Sequence, residues 1–528
     1  MADQKPLLVL AIDAASPQLL RDWAADGTLP NVASVMAGGL TAETRGVEGL
    51  FDGATWPSFY GGVGPGRHGF HWLDPIRLGT YEKHRYEHFA LRTALWETLS
   101  EAGRRVVALD VPLARRSPRV NGVQMVGWGL HDEAFPFQTT PRGLKRRILK
   151  RIGHHPAPRN CDTTRRSIAE YRDFADQLIR GAAARARLTQ WILAEEPWDF
   201  AIQVFSEAHC AGHQLWHFHD PAHPAYDPQV TRDTGDLVRQ VYVAIDRAIG
   251  DILAGLESDV TVVVVALHGM SYMCGSNFLL SQVLSRLGVT TPVRTPRQAT
   301  PPQVQAGFRS RLAGAYHLMP ESVRSPLFQF RQRLRRGLQG QKQVLRFDPA
   351  QTQCFQVDTG LAVSGIRLNL AGREPQGTLE RGAVADAFCA SLTRDLMDLV
   401  HPDTGRPLVQ RVWKTADLFT GECLDMLPDL LVEWDHDVPT GTAVAGSGQG
   451  AVQKAFSSRI GLIEHTNTYC RTGEHRIEGI VVARGPGIPQ GTLPRVVSTL
   501  DLAPTFARLL GCDMADVDGQ PIPELVPR

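Results

Sequence analysis

Short runs of apolar residues, many of them β-branched or aromatic, recur along the chain and predict buried strands. The runs LLVLAI, WDFAIQVF and VTVVVVAL carry apolar side chains at consecutive positions rather than at every second one. Strands of this kind are typical of a parallel sheet that is covered on both faces. The predicted strands lie at residues 7–12, 105–111, 123–127, 198–205, 260–267, 428–434 and 480–483, with a further short strand in 365–377.

Amphipathic stretches lie between these runs and predict helices, several of which begin beside a Ser or Pro that suits a helix N-terminus. Alternation of strands with helices indicates a parallel sheet with helices on both faces. The predicted helices lie at residues 17–26, 93–102, 165–196, 233–256 and 498–510, and a basic segment at 138–155 is predicted to be the solvated face of another helix.

Residues 282–347 differ from the rest of the chain. Pro301 and Pro302 interrupt this segment, and the basic run FRQRLRRGLQGQKQ has few periodic apolar positions. We predict an insertion, a lid or an oligomer contact here, and association into a homo-oligomer is left open. The length of 528 residues suits either several domains or one large α/β domain with insertions.

Charge and cysteine usage narrow the class of protein. Lys and Arg total 56, Asp and Glu total 55, and the formal charge of +1 gives no electrostatic footprint for nucleic acid. The eight cysteines are dispersed without a CxxC motif, which argues against a disulfide framework or a zinc ribbon. The N-terminal apolar run is far shorter than the roughly 18 residues that cross a bilayer. We therefore expect a soluble, cytoplasmic protein that does not bind membranes.

The stretch FSEAHCAGHQLWHFH, which follows the predicted strand at 198–205, contains the first candidate chemistry. His209 and His213 are four residues apart and face the same way if the segment is helical, so that both could bind one metal ion. The alternative is a His-rich helix whose histidines are neighbours by accident.

Three further candidates follow predicted strands or begin a helix. Asp13 comes directly after the first strand and is either a metal ligand or the N-cap of the next helix, a role that Ser16 could also fill. Thr55, before Trp-Pro and a Gly-rich segment, is a candidate nucleophile if its hydroxyl lies at a helix N-terminus, or an ordinary cap. His268 follows the strand at 260–267 and is either a ligand or a turn histidine.

Taken in order, these motifs resemble the type I phosphodiesterase/nucleotide pyrophosphatase group of the alkaline phosphatase superfamily. The resemblance rests on Asp13, on Thr55 with its PGRHG sequel, on the Gly-His pair at 212–213, and on the HGM, NLAGREPQG and TGEH segments. It implies one alkaline-phosphatase-like catalytic domain over residues 1–528, with a large, mostly parallel central sheet flanked by helices on both faces and a site for two metals at the strand ends.

In that family, one metal is held by an Asp, a His four residues later and a distant C-terminal His. The matching positions here are His209, His213 and His475, so a His replaces the expected carboxylate. Three imidazoles with an open fourth position are a known catalytic zinc shell. The resemblance therefore implies a divalent metal at this site, with zinc as the expected ion.

The second metal of the family is held by the N-terminal Asp, the nucleophile hydroxyl and an adjacent Asp-His pair. The matching positions are Asp13, Thr55, Leu267 and His268, and Leu267 cannot bind an ion. Loss of one anionic ligand is expected to weaken this second site.

The leading hypothesis is a metal-dependent hydrolase of a phosphodiester, or of a related phosphate or sulfate ester, that uses Thr55 as its nucleophile and acts on a small anionic ester. A single-metal group transferase or specialised biosynthetic enzyme is the alternative, and the Leu at position 267 motivates it. A non-catalytic binding protein that keeps the fold is the third hypothesis.

Overall fold

A ten-stranded sheet, most of whose strands are parallel, organises the chain in the computed structural model. The structure describes residues 5–84, 92–129, 135–157, 161, 165, 167–293, 343–345, 347–438, 451–467 and 469–526. Among these residues, no helix combines the length and apolar character that crossing a bilayer requires.

The strands in chain order are β1 (Leu7–Ile12), β2 (Leu40–Arg45), β3 (Glu82–Lys83), β4 (Val106–Leu109), β5 (Gly122–Val126), β6 (Gln138–Thr140), β7 (Phe200–Phe205), β8 (Thr261–Ala266), β9 (Gly269–Tyr272), β10 (Gln343–Val344), β11 (Cys354–Val357), β12 (Val363–Leu368), β13 (Val409–Lys414), β14 (Leu430–Trp434), β15 (Ala451–Ser457), β16 (Gly461–Asn467), β17 (Gly473–Arg476), β18 (Glu478–Arg484), β19 (Gly491–Thr492) and β20 (Val497–Ser498).

The helices are α1 (Pro17–Ala25), α2 (Pro30–Ala37), α3 (Phe51–Gly61), α4 (Pro65–His68), α5 (Leu95–Glu101), α6 (Leu144–Arg151), α7 (Ile168–Glu195), α8 (Glu207–Leu215), α9 (Pro228–Thr234), α10 (Leu237–Ala254), α11 (Leu280–Arg286), α12 (Ala383–Met397), α13 (Thr415–Leu418) and α14 (Leu502–Leu509). Short 3₁₀ turns lie at Trp216–Phe218, Ser276–Leu279, Pro349–Gln351, Leu424–Met426 and Thr499–Asp501.

The strand order of the large sheet is β19-β2-β18-β8-β1-β7-β4-β5-β6, with β20 also paired to β2. Strands β8, β1, β7, β4 and β5 are parallel neighbours, whereas β18 and β6 run antiparallel to the strands beside them. The predicted α/β class with a large, mostly parallel sheet is confirmed.

Two apolar cores cover the two faces of this sheet. In β1, Leu8 and Leu10 belong to a core that also contains side chains of α7 and α10. Leu7 and Val9 point the opposite way, into a core shared with α3, α5 and α14. Because successive strand residues face opposite sides, a strand between two helical layers must be apolar at every position, which is the pattern that identified β1 in the sequence.

Two expectations about local structure need correction. Residues 138–155 do not form one helix: β6 ends at Thr140, and α6 begins only after Pro141, because the residue before a proline is disfavoured in helical geometry. The strands predicted near 365–377 and at 428–434 are present as β12 and β14. They form, with β11 and β13, a separate four-stranded antiparallel sheet that the sequence did not predict.

Most of the segment 282–347, predicted to be an insertion, a lid or an oligomer contact, lies outside the described residues. Its described parts are residues 282–293, which include the end of α11, and residues 343–345 and 347. Buried side chains of α11 pack in the core of the second sheet.

A two-stranded antiparallel ribbon connects the end of β8 with a distant part of the chain. Strand β9 starts just after β8, and it pairs with β17 so that Met270 lies opposite His475. This pairing brings a residue from the C-terminal part of the chain to the carboxyl end of the central strands.

Candidate functional site

The candidate residues gather at the carboxyl ends of three adjacent parallel strands, β8, β1 and β7. Asp13 directly follows β1, the helix α8 begins two residues after β7, and His268 lies between β8 and β9. Sites in open α/β sheets form at this edge, where loops and helix N-termini converge. Asp13 and His268 are both buried.

Three imidazoles converge beside this edge. His209 and His213 lie one turn apart on α8, and His475 projects from β17. One ligand nitrogen from each ring falls within 4.8 Å of the other two. The Nε2 atoms of His209 and His213 are 3.2 Å apart. Side chains that are distant in sequence thus form a compact nitrogen-donor set.

Two glycines allow the ribbon of β17 and β9 to approach α8 closely. A Cβ atom on Gly473 would lie 2.3 Å from the carbonyl oxygen of Gly212, and a Cβ atom on Gly212 would lie 2.6 Å from Cγ of Met270. The approach is also fixed by a backbone hydrogen bond of 2.7 Å from the Thr472 N–H to the His213 carbonyl. The glycines of the Gly-His and Thr-Gly-Glu-His motifs therefore have a packing role.

Hydrogen bonds behind the rings fix the tautomers of two histidines. His213 Nδ1 donates to the Gly473 carbonyl at 2.7 Å, and His475 Nδ1 donates to the carboxylate of Asp52. A proton on Nδ1 leaves the Nε2 lone pair available. His475 Nε2 is buried and has no hydrogen-bond partner within the described part of the chain. An imidazole held from behind by a carboxylate or carbonyl is the usual arrangement of a metal-binding histidine, so this donor set fits a divalent ion.

Asp52 is a functional candidate that the sequence analysis missed. It lies in the first turn of α3, and its carboxylate also accepts a 2.6 Å hydrogen bond from the Leu361 N–H. Burial alone would raise the pKa of Asp52, but the neighbouring His475 imidazole and these hydrogen bonds hold the pKa below its usual value. Its position three residues before Thr55 was the only available signal.

Thr55 is not at a helix N-terminus, contrary to the prediction. Helix α3 begins at Phe51, so Thr55 is its fifth residue, fully inside the helix, and its buried hydroxyl donates to the Phe51 carbonyl at 2.8 Å. The prediction placed the helix start at Thr55 because Pro57 suits a first turn. Instead, Pro57 lies inside α3. The first turn of α3 belongs to residues that precede Thr55.

Asp13 is not the cap of the following helix. Ser16 fills that role, since its side chain accepts from the Leu19 N–H. The Asp13 carboxylate instead accepts a 2.8 Å hydrogen bond from Nε1 of Trp56, the residue after Thr55. Asp13 and Thr55, both expected at the second metal site, are therefore connected by the hydrogen bond from Trp56, the neighbour of Thr55 in α3.

His268 lies at the candidate site, whereas its neighbour Leu267 lies in the apolar core. The ring centroid of His268 lies 4.6 Å from that of His475, so His268 is a fourth imidazole at this edge of the sheet. Leu267, at the position that the motif resemblance matches to a metal-binding carboxylate, is buried in the same apolar core as Val9. The loss of the carboxylate is thus accompanied by apolar packing.

Arg471 brings a positive charge to the imidazole cluster. Its Nη1 donates to Nε2 of His213 at 3.1 Å, and its guanidinium lies 5.6 Å from the ring centre of Tyr469. No motif or spacing in the sequence distinguishes this arginine. A guanidinium at this position is suited to bind an anionic oxygen.

A buried charged network supports the start of α8. Arg185 of α7 donates from Nε to Glu207 at 2.7 Å and from Nη1 to Asp110 at 2.9 Å, and all three side chains are almost fully buried. Burial alone would lower the pKa of Arg185, but Glu207 and Asp110 raise it. His155 Nε2 also contacts Glu207 at 2.8 Å. This network fixes the turn that carries His209.

The family model of type I phosphodiesterase/nucleotide pyrophosphatase matches residues 7–318, which is more than half of the chain. Comparison with curated proteins gave no match.

Several solved structures are similar over nearly the whole chain. Murine ectonucleotide pyrophosphatase/phosphodiesterase 5 is 14% identical, with 98% of each chain covered and a TM-score of 0.45. An inactive variant of that protein in complex with AMP is 12% identical, with 98% of each chain covered and a TM-score of 0.46. Phosphonoacetate hydrolase from Sinorhizobium meliloti 1021, in complex with phosphonoacetate, is 13% identical and has a TM-score of 0.49. That match covers 95% of this chain and 94% of the hydrolase chain.

The resemblance expected from the motifs is confirmed by the family model. The chain belongs to the type I phosphodiesterase/nucleotide pyrophosphatase family, whose members are metal-dependent enzymes that hydrolyse phosphoesters.

Proposed function

We propose that the protein hydrolyses a phosphodiester, or a related phosphate or sulfate ester, with Thr55 as nucleophile and a divalent ion at His209, His213 and His475. The observation that carries the proposal is the convergence of three imidazole nitrogens within 4.8 Å of one another. Three neutral nitrogens with room for a fourth ligand suit zinc, which we propose as the ion. When bound, it would stabilise negative charge on the oxygens of the reacting group.

The step assigned to Thr55 is attack on phosphorus. The threonine hydroxyl loses its proton to solvent as its oxygen forms a bond to phosphorus, and the ester oxygen leaves with the bonding electrons and takes up a proton from solvent. Water later cleaves the phosphothreonine and restores the hydroxyl. In this structure the hydroxyl donates to the Phe51 carbonyl, so it must rotate away from α3 to attack. The Trp56–Asp13 hydrogen bond would hold the helix segment around Thr55 in place during that rotation.

Arg471 is the residue that we assign to substrate binding. Its guanidinium contacts His213 Nε2, the atom that would bind the ion, and would therefore have to move when the ion is present. Free of that contact, it could pair with a non-bridging oxygen of the ester. The small anionic ester and the cytoplasmic location stay predictions.

Replacement of Thr55 by Ala tests the nucleophile. Turnover of a chromogenic phosphodiester by metal-loaded protein should fall by about 10³-fold or more, because no covalent intermediate can form. Thr234→Ala is the matched control, since the Thr234 hydroxyl makes the same kind of bond, 2.9 Å to the Val230 carbonyl, on α9. Turnover by Thr55→Ala within a few-fold of the unmodified enzyme would remove Thr55 from the mechanism.

A second candidate function, group transfer by a single-metal enzyme, is favoured by Leu267, which packs in the core where the family has a metal ligand. Reaction in ¹⁸O-labelled water separates the two functions. Hydrolysis places the label in the phosphoryl product, whereas transfer to an acceptor hydroxyl leaves the product unlabelled and requires the acceptor. If the phosphoryl product contains no ¹⁸O and forms only when an alcohol is added, the second function replaces our proposal.

A further inference from the structure

A second group of metal-binding side chains lies apart from the three imidazoles. Cys274 follows β9, His436 follows β14, and Glu474 belongs to β17. One ligand atom from each lies within 4.8 Å of the other two, and His436 Nδ1 is 3.0 Å from Oε1 of Glu474. Zinc with its usual bond lengths holds tetrahedral ligand atoms about 3.3 to 3.8 Å apart, so only small side-chain movements would be needed.

An unsatisfied oxygen in this group indicates a ligand. Glu474 is completely buried, and its Oε1 accepts from the Cys274 N–H at 3.3 Å and contacts His436. Its Oε2 has no hydrogen-bond partner among the residues that the structure describes. A buried carboxyl oxygen without a hydrogen-bond partner is costly unless an ion or another ligand binds it.

Strand geometry places this group on the other side of β17 from His475. Successive strand residues face opposite ways, so Glu474 points away from the imidazoles while His475 points toward them. The group therefore has its own ligands and shares only the strand with the proposed catalytic site.

A solvent-connected cavity of about 430 Å³ reaches His436. Four acidic residues line it against two basic ones, which favours entry of a cation over an anion. These residues are Glu433, Asp435, Asp437, Glu478, Arg45 and Arg476.

We propose that Cys274, His436 and Glu474 bind a divalent cation of the zinc type, at a site additional to the one at His209, His213 and His475. Thiolate, imidazole and carboxylate are all zinc ligands, and the thiolate disfavours magnesium and calcium. The ion would join three segments, the end of β9, the turn after β14 and strand β17. It would thus fix the strand that carries His475, and it takes no part in the reaction assigned to Thr55.

Cobalt(II) substitution tests the site, because a cobalt–thiolate bond gives a charge-transfer band in the near ultraviolet that imidazole ligands do not give. The full-length protein is freed of metal with a chelator and titrated with Co²⁺. The band should appear and correspond to one thiolate-bound Co²⁺ per chain. Cys274→Ser should abolish it, and zinc bound after reloading should fall by one ion per chain. Cys354→Ser is the matched control, since Cys354 is also completely buried and belongs to the same apolar core.

Further variants keep the test decisive. His436→Gln alters a side chain at the edge of the cavity and should also lose one zinc, which covers the case that Cys274→Ser fails to fold. Cys210→Ser should keep the band, since Cys210 is the thiol next to His209. A band that is absent from the unmodified protein, or that persists in Cys274→Ser, would overturn the proposal, as would equal zinc contents. Thr55→Ala should keep the band while losing turnover, so failure of the catalytic proposal is seen separately.

Discussion

Asp52 offers a direct test of the proposed metal site, because it acts on the ion only through His475. Replacement by Asn keeps the size of the side chain and can keep the hydrogen bond from the Leu361 N–H. What changes is the negative charge behind the ring. A carboxylate on Nδ1–H raises the basicity of Nε2, and an amide does so far less. An Asn whose NH₂ group faces the ring would also favour the tautomer with its proton on Nε2, which cannot bind a metal.

The expected loss follows from this geometry. A carboxylate that accepts a hydrogen bond from a metal-binding histidine is worth about 10- to 100-fold in metal affinity, or about 1.4 to 2.7 kcal/mol. Competition between the protein and a zinc chelator measures the affinity for Asp52→Asn and for the unmodified protein. Asp176→Asn, on the exposed face of α7, is the control and should leave the affinity unchanged. An affinity of Asp52→Asn within twofold of the unmodified value would refute the assignment of His475 as a ligand supported by Asp52.

Three more predictions concern packing, buried charge and pH. Gly473→Ala should abolish metal binding, because the new Cβ would lie 2.3 Å from a backbone oxygen. Gly143→Ala, which has open space around it, should leave metal affinity unchanged. Competition with a chelator measures the affinity of both variants. Arg185→Met should lower the free energy of unfolding by about 3 to 5 kcal/mol in denaturant titrations, since two buried carboxylates lose their partner, and exposed Arg187→Met should change it by less than about 0.5 kcal/mol. Burial lowers the pKa of His68 from 6.5 to about 3, so the unfolded chain takes up a proton that the folded chain refuses. Below about pH 6, His68 should therefore lower the free energy of unfolding by about 1.4 kcal/mol for each pH unit. In His68→Gln the free energy of unfolding should fall less steeply with decreasing pH, by that amount.

Local features of the fold could be predicted from the sequence where one residue pattern determined one structure. Strand β1 was predicted with its observed bounds, because an apolar run that ends at a buried aspartate has few other interpretations. The shared helical face of His209 and His213 follows from their spacing alone. The role of Ser16 as a cap was one of two open alternatives, and the structure decides for it.

Features that depend on pairing between distant segments could not be predicted in this way. The hydrogen bond between Asp52 and His475 joins residues 423 positions apart. Strand β17 is four residues long and contains a glycine and three polar or charged residues, so its pairing with β9 has no signature in the local pattern. The prediction that Thr55 lies at a helix N-terminus is wrong for a different reason. Pro57 predicts a helix start, because the first turn is the usual place of a proline, but in the structure it lies inside α3.

The charges around the imidazole cluster bear on how the proposed site would hold a divalent ion without a carboxylate ligand. Glu207, two residues before His209, does not replace the missing carboxylate, because its Oε1 contacts Arg185 and His155 in the buried network behind α8. The negative charge comes instead from Asp52, through His475. Neutral rings would leave more positive charge on a bound ion than a carboxylate ligand would, and Arg471, once displaced from His213 Nε2, would add a second positive charge beside it. With an ion bound at the three histidines, the arrangement would favour a substrate whose reacting group carries negative charge, and the neutral ligands would retain the ion less strongly than a carboxylate would.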